Sequence, residues 1–240
     1  QPVYTFSAKS DSASLTARDI RLAPSGVRFC ALEEGELVRV KTNLPGQFSV
    51  YNALAAISCA RLLGVSLADA AAALETAHGA KGRVEPVPTD GDYSIFIDYA
   101  VTPDAIENVL TTLRGIAPKR LVMLFGAGGD RDRKKRPIMG KLSADIADFV
   151  IVTSDNPRTE DPMSIIEEIL PGVRAGKAPY KVICDRPEAI RWAIDHHEPG
   201  DVILLCGKGH EDYQIIGHEK IHMDEREIVA DYLAERAKRT

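Results

Sequence analysis

Residues Leu121-Val122-Met123-Leu124-Phe125 run directly into Gly126-Ala127-Gly128-Gly129-Asp130, and this stretch is the clearest indication of fold class in the chain. A run of apolar residues without polar alternation is typical of a strand covered on both faces, as in a parallel sheet flanked by helices. The glycines allow the backbone to turn sharply where the strand ends. We therefore expect an α/β fold whose ligands bind beyond the carboxyl ends of its strands.

Apolar strands alternate with amphipathic segments through the second half of the chain. Further strands are predicted at Ile95–Ile97, Phe149–Val152, Lys181–Cys184 and Val202–Cys206. Helices are predicted near 103–114, 135–147, 162–170, 186–197 and 224–238. Together these segments predict a doubly wound, mostly parallel sheet over residues 85–240.

The first part of the chain has a different pattern of predicted strands and helices. Short strands are predicted at Val3–Phe6, Val27–Phe29 and Glu36–Val40, and helices at Gln47–Leu63 and from Ser66 onward. We expect residues 1–84 to be the end of a domain whose sheet begins upstream, with a hinge at the glycines near its boundary. Because the first residue is Gln rather than Met, we expect the chain to be a piece of a longer protein.

Composition narrows the classes of function. The 240 residues carry a net charge of −5, which argues against a chain-wide surface for nucleic acid or for an acidic membrane. No apolar run approaches the roughly 18 residues of a membrane span. The four cysteines lie far apart and form no Cys-x-x-Cys pair, so we expect neither a disulfide framework nor a zinc knuckle, and a reducing cytoplasm.

Charged residues that could bind a ligand follow two of the predicted strands, at their carboxyl ends. Asp98 could accept hydrogen bonds from a ribose, or it could cap the next helix together with Thr102. The run Arg131–Arg136 directly follows glycines, so its cations could bind phosphate or carboxylate, although a charge run is usually only solvated. The glycine spacing is neither a dinucleotide fingerprint nor a P-loop.

The segment Thr153–Thr159 combines a carboxylate, an amide and a guanidinium around a proline. Asp155 could accept an ammonium and Arg158 could bind a carboxylate, which together would hold a zwitterionic amino acid. The alternative is an Asx-turn before Pro157. After the last strand, Glu211 could accept a second ammonium, unless Gly207–Glu211 is a plain glycine turn. No metal site is expected, because His218 and His222 are four residues apart but follow a glycine, and no helix is evident there.

Several of these strings together resemble the Mur ligases, and most closely those that add the third residue of the peptidoglycan stem peptide. They occur in the family's order over almost the whole chain. The matching strings are Leu44-Pro45-Gly46, Asn52-Ala53-Leu54-Ala55-Ala56, Gly82-Arg83-Val84-Glu85, Asp98-Tyr99-Ala100, Thr102-Pro103-Asp104, Gly128-Gly129-Asp130-Arg131-Asp132, Lys135-Arg136-Pro137, Asp155-Asn156-Pro157-Arg158 and Gly207-Lys208-Gly209-His210-Glu211.

The resemblance implies a Rossmann-like carboxyl-terminal domain that binds the amino acid, preceded by the end of the central ATPase domain. The four-residue string around Pro157 looks like the signature of enzymes that select meso-diaminopimelate over lysine, because an arginine can grip the second carboxylate with two hydrogen bonds. The amino-acid site implied by the family is Arg131, Asp155, Asn156, Pro157, Arg158, Gly207 and Glu211. For ATP, the resemblance implies Asn52 near adenine, Arg83 near the phosphates and Asp98 on the ribose.

The reaction that the resemblance implies is ATP-dependent amide formation in peptidoglycan synthesis. ATP would phosphorylate the D-glutamate carboxylate of UDP-MurNAc-L-Ala-D-Glu, and the amine of meso-diaminopimelate would attack the acyl phosphate, with Mg²⁺ offsetting phosphate charge. The present chain would hold the nucleophile, and no catalytic residue is assigned to it. A UDP-binding domain and a Gly-Lys-Thr P-loop would lie upstream.

One departure from the family's pattern keeps other interpretations open. The family usually shows Asp-Tyr-Ala-His-Thr-Pro, but this chain has Val101 in place of the histidine, so any ATP contact made by that side chain is absent. Folylpolyglutamate synthase and cyanophycin synthetase share the same two-domain end and are alternatives in the same class. A noncatalytic module that binds an amino acid or a nucleotide is the alternative from a different class.

Overall fold

A computed structural model describes residues 3–238 of the chain. The chain divides into two compact units, Gln1–Gly79 and Ala80–Thr240. The predicted division between residues 84 and 85 lies slightly further along the chain and stays a proposal. The outermost residues of the two predicted domains, 1–2 and 239–240, lie outside the described part.

The first unit consists of a four-stranded sheet and two helices. Its strands, in the order β1-β2-β3-β4, are β1 (Phe6–Ser7), β2 (Leu15–Ala23), β3 (Gly26–Glu33) and β4 (Glu36–Thr42). Strand β1 is parallel to β2, and the remaining pairs are antiparallel. The helices are α1 (Gln47–Leu62) and α2 (Leu67–Thr76). The Ser66 hydroxyl caps α2 by accepting a hydrogen bond from the Asp69 N–H at 3.0 Å.

Strand β2 was not predicted from the sequence, and its backbone shows why. Asp19 has a φ of 50°, and the pairing with β3 shifts register between Arg18 and Arg21. This bulge breaks the alternation of apolar and polar residues by which a strand is recognised. The predicted strand at Val3–Phe6 is largely wrong, since only Phe6 of that segment is in a strand.

The second unit is built on a six-stranded sheet in the order β5-β6-β10-β7-β8-β9. Strand β5 is antiparallel to β6, and all other pairs are parallel. The strands are β5 (Glu85–Val87), β6 (Tyr93–Asp98), β7 (Leu121–Phe125), β8 (Phe149–Val152), β9 (Tyr180–Val182) and β10 (Asp201–Cys206). A separate hairpin joins β11 (Tyr213–Ile216) to β12 (Glu219–His222). The helices are α3 (Pro103–Arg114), α4 (Lys135–Ile146), α5 (Pro162–Ala175), α6 (Arg186–Asp195) and α7 (Glu225–Ala237).

Helices cover both faces of this sheet. Alternate residues of β7 point to opposite sides: Met123 and Phe125 join a core with α3, α4 and α5, whereas Val122 and Leu124 join a core with α6 and α7. The prediction of a doubly wound, mostly parallel α/β sheet is therefore confirmed. Helix α5 continues past Pro171 to Ala175, further than predicted, and the hairpin β11–β12 was not predicted.

A buried ion pair joins the carboxyl ends of two strands to two helices. The fully buried guanidinium of Arg186, in the first turn of α6, donates to the Glu225 carboxylate of α7 at 2.9 Å. It also donates to the backbone oxygens of Ser154, after β8, and Cys206, at the end of β10, at 3.2 and 2.8 Å. Because Glu225 is also fully buried, loss of either partner would leave an uncompensated charge in the interior.

We predict that Arg186→Met lowers the free energy of unfolding of the second unit by about 3–5 kcal/mol, since it leaves Glu225 buried and unpaired. Urea unfolding followed by the fluorescence of Trp192, the only tryptophan of the chain and part of α6, measures this unit directly. Adding Glu225→Leu should restore part of the loss, because an apolar pair carries no buried charge. The exposed Arg191→Met on the same helix is the control, and an equal effect there would contradict the prediction.

Candidate functional site

Loops that follow four adjacent parallel strands of the second unit surround one small cleft. It has a volume of about 110 Å³. Strands β6, β10, β7 and β8 are neighbours in the sheet, so loops that are distant in sequence meet at their carboxyl ends. The cleft is lined by Tyr99, Val101, Gly126, Ala127, Gly128, Arg131, Lys135, Met139, Asp155, Asn156, Arg158, Gly207 and Glu211. Of the seven residues predicted for the amino-acid site, all except Pro157 line it.

The charged residues of the cleft have both signs. Arg131, Lys135 and Arg158 bring positive charge, and Asp155 and Glu211 bring carboxylates. Such a set complements a ligand that itself carries ammonium and carboxylate groups, because each ligand charge finds an opposite partner.

The loop after β8 is held in shape by the hairpin β11–β12. Arg158 has a φ of 51°, and its N–H donates to the Ile215 oxygen at 3.0 Å while its own oxygen accepts from the Gly217 N–H at 2.7 Å. The Gln214 amide donates to the Ser154 hydroxyl at 2.9 Å and to the Asp155 oxygen at 2.6 Å. This hairpin was not predicted from the sequence, although the aromatic and β-branched residues of Tyr213–Ile216 and the glycine that follows them are a partial signal.

The guanidinium of Arg158 is anchored by one nitrogen only. Its Nη1 donates to the Gly129 oxygen at 2.8 Å and lies 3.5 Å from the Asn156 oxygen. Within residues 3–238, the Nε and Nη2 atoms of Arg158 have no hydrogen-bond partner, and this pair of donors can bind a carboxylate side-on. The side chain is half-buried, so a bound carboxylate would be partly shielded from water.

On the opposite loop, Glu211 is held by hydrogen bonds from Lys208 and Asn156, and Tyr213 also donates to it. Its Oε2 accepts from the Asn156 amide and from the Lys208 ammonium, each at 2.9 Å. Burial alone would raise the pKa of Glu211, but the hydrogen bonds from Lys208 and Asn156 outweigh it and leave that pKa below its usual value. Glu211 is therefore ionised at neutral pH and can accept an ammonium. Sequence reasoning named Glu211 but gave no role to Lys208.

Gly207 allows the loop after β10 to approach the loop after β8. It has a φ of 114°, and a side chain there would place its Cβ 2.6 Å from Oδ2 of Asp155. An alanine at this position would therefore meet both backbone strain and a steric clash with the carboxylate. The predicted site glycine thus sets the spacing between two walls of the cleft.

The basic run after β7 is only partly available to a ligand. Arg136 is fully buried and donates to both carboxylate oxygens of Glu160, at 2.8 and 2.9 Å, and to Glu168 at 2.8 Å. The hydrogen bonds from Arg136 lower the pKa of Glu160 to about 2. Two other members of the run, Arg131 and Lys135, line the cleft, and the Lys135 ammonium donates to the backbone oxygen of Val101 at 2.8 Å.

The three residues that the resemblance associates with ATP lie in different surroundings. Asn52 is exposed on α1 of the first unit. Arg83 is exposed in the second unit, with its guanidinium carbon 5.4 Å from the centroid of the Tyr99 ring. Asp98 is buried, which raises its pKa, and its Oδ2 accepts from the Val84 N–H at 2.9 Å.

The alternative role considered for Asp98, capping of the next helix, is wrong. Thr102 caps α3 by accepting a hydrogen bond from the Ala105 N–H at 3.3 Å. The ribose contact of Asp98 stays a prediction, with one carboxylate oxygen already engaged by the backbone.

Neither a metal cluster nor a membrane helix is found in residues 3–238. No group of three or more His, Cys, Asp or Glu side chains in this range could hold a metal ion. His222 instead pairs with Glu227 at 2.6 Å. None of the helices in the same range has both the length and the apolar character that crossing a membrane requires.

Family models match both units. Residues 82–209 match the glutamate ligase domain of Mur ligases, and residues 1–60 match the Mur ligase middle domain. The first match covers strands β6, β7, β8 and β10 and every residue that lines the cleft except Glu211.

Individual relatives agree with these matches. The chain is 48% identical over 98% of its length to the UDP-N-acetylmuramoyl-L-alanyl-D-glutamate–2,6-diaminopimelate ligase of Caldanaerobacter subterraneus subsp. tengcongensis, and covers 48% of that protein. It is 41% identical to the enzyme of the same name from Oceanobacillus iheyensis, again over 98% of the chain and 48% of the relative. The chain thus spans about half the length of these curated relatives.

Solved structures of ligases with related names are also similar to this chain. A diaminopimelate ligase structure of the same name matches with a TM-score of 0.79 and 34% identity, over 98% of this chain and 48% of that one. The UDP-N-acetylmuramate-alanine ligase of Thermotoga maritima matches with a TM-score of 0.65 over 98% of this chain and 48% of that one, and at 23% identity it supports the fold alone. The cleft, the two family models and these relatives all agree. Together they show that the chain belongs to the Mur ligase family.

Proposed function

We propose that this chain is the amino-acid-binding part of an ATP-dependent ligase that adds meso-diaminopimelate to UDP-MurNAc-L-Ala-D-Glu in peptidoglycan synthesis. The observation that carries the proposal is the cleft itself, in which three cations and two carboxylates surround a volume of about 110 Å³. The names of the relatives with 41–48% identity point to the same substrate class.

The charge pattern favours an amino acid that is zwitterionic at both ends. In the proposed pose, Arg158 binds the far carboxylate through Nε and Nη2, and Asp155 and Glu211 accept ammonium hydrogens. Arg131 pairs with the other carboxylate of the ligand, the one that Arg158 does not bind. Asn156, Pro157 and Gly207 complete the site by shaping its walls.

Competing amino acids would leave a charged residue of the cleft without a partner. Lysine lacks the far carboxylate, so the half-buried Arg158 would stay unpaired. Glutamate, the amino acid added by folylpolyglutamate synthases, has two carboxylates but only one ammonium, so one of the two cleft carboxylates would stay unpaired. Both comparisons favour diaminopimelate.

In the proposed reaction, the chain positions the attacking amine. The attacking ammonium first gives up a proton to water. The amine lone pair then attacks the carbonyl carbon of the D-glutamyl acyl phosphate, a C–N bond forms, phosphate leaves with the C–O electrons, and the nitrogen gives up a second proton. Holding the amine in the correct geometry lowers the barrier, because translational and rotational freedom is lost on binding rather than in the reaction step. No described residue is assigned a catalytic role.

The ATP contacts belong to the same proposal. The exposed side chains of Asn52 and Arg83 are available to a nucleotide, and Asp98 would offer its remaining carboxylate oxygen to the ribose. Mg²⁺ would neutralise phosphate charge when ATP is bound. We also propose a cytoplasmic protein, since all four cysteines are free thiols.

Arg158 provides the sharpest test of the substrate. We predict that the chain binds meso-diaminopimelate more tightly than lysine or glutamate in titration calorimetry. Arg158→Ala should weaken diaminopimelate binding by about tenfold to a hundredfold, the range for a lost charged hydrogen bond. Lysine binding should barely change. Arg133→Ala, an exposed arginine near the cleft that does not line it, is the matched control. Equal loss for both amino acids would refute the assignment.

The second prediction concerns activity. These 240 residues contain no Gly-x-x-x-x-Gly-Lys-Ser/Thr P-loop, so a preparation of them alone should neither hydrolyse ATP nor form the amide product. Phosphate release and product formation are measured with all substrates present. The full-length Caldanaerobacter relative serves as the positive control, and measurable ligation by the chain alone would contradict the prediction.

A further inference from the structure

The ammonium of Lys208 is buried directly beneath the cleft, where it contacts Glu211 and Asn156. Lys208 has no exposed surface, although it lies between two glycines in the loop after β10. A lysine in the interior loses its hydration, so it persists there only where partners satisfy its charge and its three donors. Lys208 is not among the residues that line the cleft.

The Lys208 ammonium contacts residues on the side of the cleft where Glu211 lies. Its Nζ donates to Oε2 of Glu211 at 2.9 Å and to Oδ1 of Asn156 at 2.8 Å. The ring of Tyr213 lies over it, with 5.2 Å between Nζ and the ring centroid. Nζ therefore has three partners, two hydrogen-bond acceptors and one aromatic face, which leaves Lys208 little capacity to contact a ligand directly.

The amide of Asn156 is used in the same network. Its Oδ1 accepts from Lys208 and, at 2.9 Å, from the Ile215 N–H, while its Nδ2 donates to Glu211 at 2.9 Å. Both donors meet at the same oxygen of Glu211, Oε2. The other oxygen, Oε1, receives neither of these hydrogen bonds, although the Tyr213 hydroxyl also hydrogen-bonds to this carboxylate, and Glu211 itself lines the cleft.

We propose that Lys208 is a positioning residue that anchors the Glu211 carboxylate through Oε2, so that the carboxylate stays turned toward the cleft as the acceptor of the ligand's ammonium. The inference rests on the proposed function, because it takes that ammonium to belong to the bound diamino acid. Asn156 is the second anchor, and it ties Glu211 to the loop after β8. Lys208 thus acts on the ligand only through Glu211.

This arrangement has an electrostatic consequence. Burial raises the pKa of Glu211, and Lys208 is the strongest of the groups that lower it. Without Lys208, burial would be opposed only by the weaker hydrogen bonds from Asn156 and Tyr213, so the pKa of the Glu211 carboxyl would rise. A protonated carboxyl is a poor partner for an ammonium. The other titratable or charged groups facing the cleft are Tyr99, Arg131, Lys135, Asp155, Arg158 and Tyr213.

Binding of meso-diaminopimelate to the Lys208→Met variant tests the proposal. Calorimetry between pH 5 and pH 8 should show nearly constant affinity for the unaltered chain, in which Glu211 remains ionised. The variant should bind at least about tenfold more weakly at pH 6, the loss expected for a charged hydrogen bond. Its affinity should rise with pH as the Glu211 carboxyl loses its proton.

Lys220→Met is the matched control, because Lys220 also lies over the Tyr213 ring, at 3.5 Å from the centroid, and no hydrogen bond joins it to Glu211. It should keep the affinity and the flat pH profile of the unaltered chain. Glu211→Gln combined with Lys208→Met should be no weaker than Glu211→Gln alone, since the two residues act together. A loss in Lys208→Met that is equal at every pH would overturn the proposal.

A second measurement covers the case in which Lys208→Met does not fold, which Trp192 fluorescence would reveal. Titration of the Glu211 carboxyl by ¹³C NMR in the unaltered chain should give a midpoint below the usual 4.5. A midpoint at or above that value would overturn the proposal. If the unaltered chain binds no diaminopimelate, the proposed function fails, while the NMR titration still tests whether the buried Glu211 carboxylate is held in its ionised form.

Discussion

A single buried guanidinium joins the carboxyl ends of β8 and β10, and the geometry of the cleft depends on it. Arg186 binds the backbone oxygens of Ser154 and Cys206, and these residues directly precede Asp155 and Gly207 of the cleft. The same guanidinium pairs with Glu225 at the start of α7. Two walls of the cleft are thus fixed to each other from beneath, which is how a rigid scaffold holds a binding site in place.

Within this frame, the cleft is organised before any ligand binds. The hairpin β11–β12 holds the backbone of Arg158 on both sides, and the Gly129 oxygen anchors one nitrogen of its guanidinium. Lys208 and Asn156 hold Glu211 from the opposite loop. Side chains that are already held in place lose little conformational entropy on binding, so more of the interaction energy remains as affinity. The cleft thus presents its charged groups in one fixed arrangement, and no single contact determines which ligand fits it.

Much of the fold and of the cleft could be predicted from sequence, for identifiable reasons. Strands such as Leu121–Phe125 are buried on both faces and therefore lack polar residues, and ligand-facing residues follow such strands at one edge of the sheet. Strand β2 escaped prediction because the bulge at Asp19 interrupts its pattern. Arg136 and Lys208 look like solvated cations in sequence, since their burial depends on partners from distant segments: Glu160 for Arg136 and Asn156 for Lys208.

The cleft is proposed to bind a diamino dicarboxylic acid with one carboxylate on Arg158 and an ammonium on Glu211. A crystal structure of the chain soaked with meso-diaminopimelate tests it most directly. We expect the far carboxylate at about 2.7–2.9 Å from Nε and Nη2 of Arg158, with an ammonium at a similar distance from Glu211. A ligand bound outside the cleft, or one whose ammonium group faces Arg158, would contradict it.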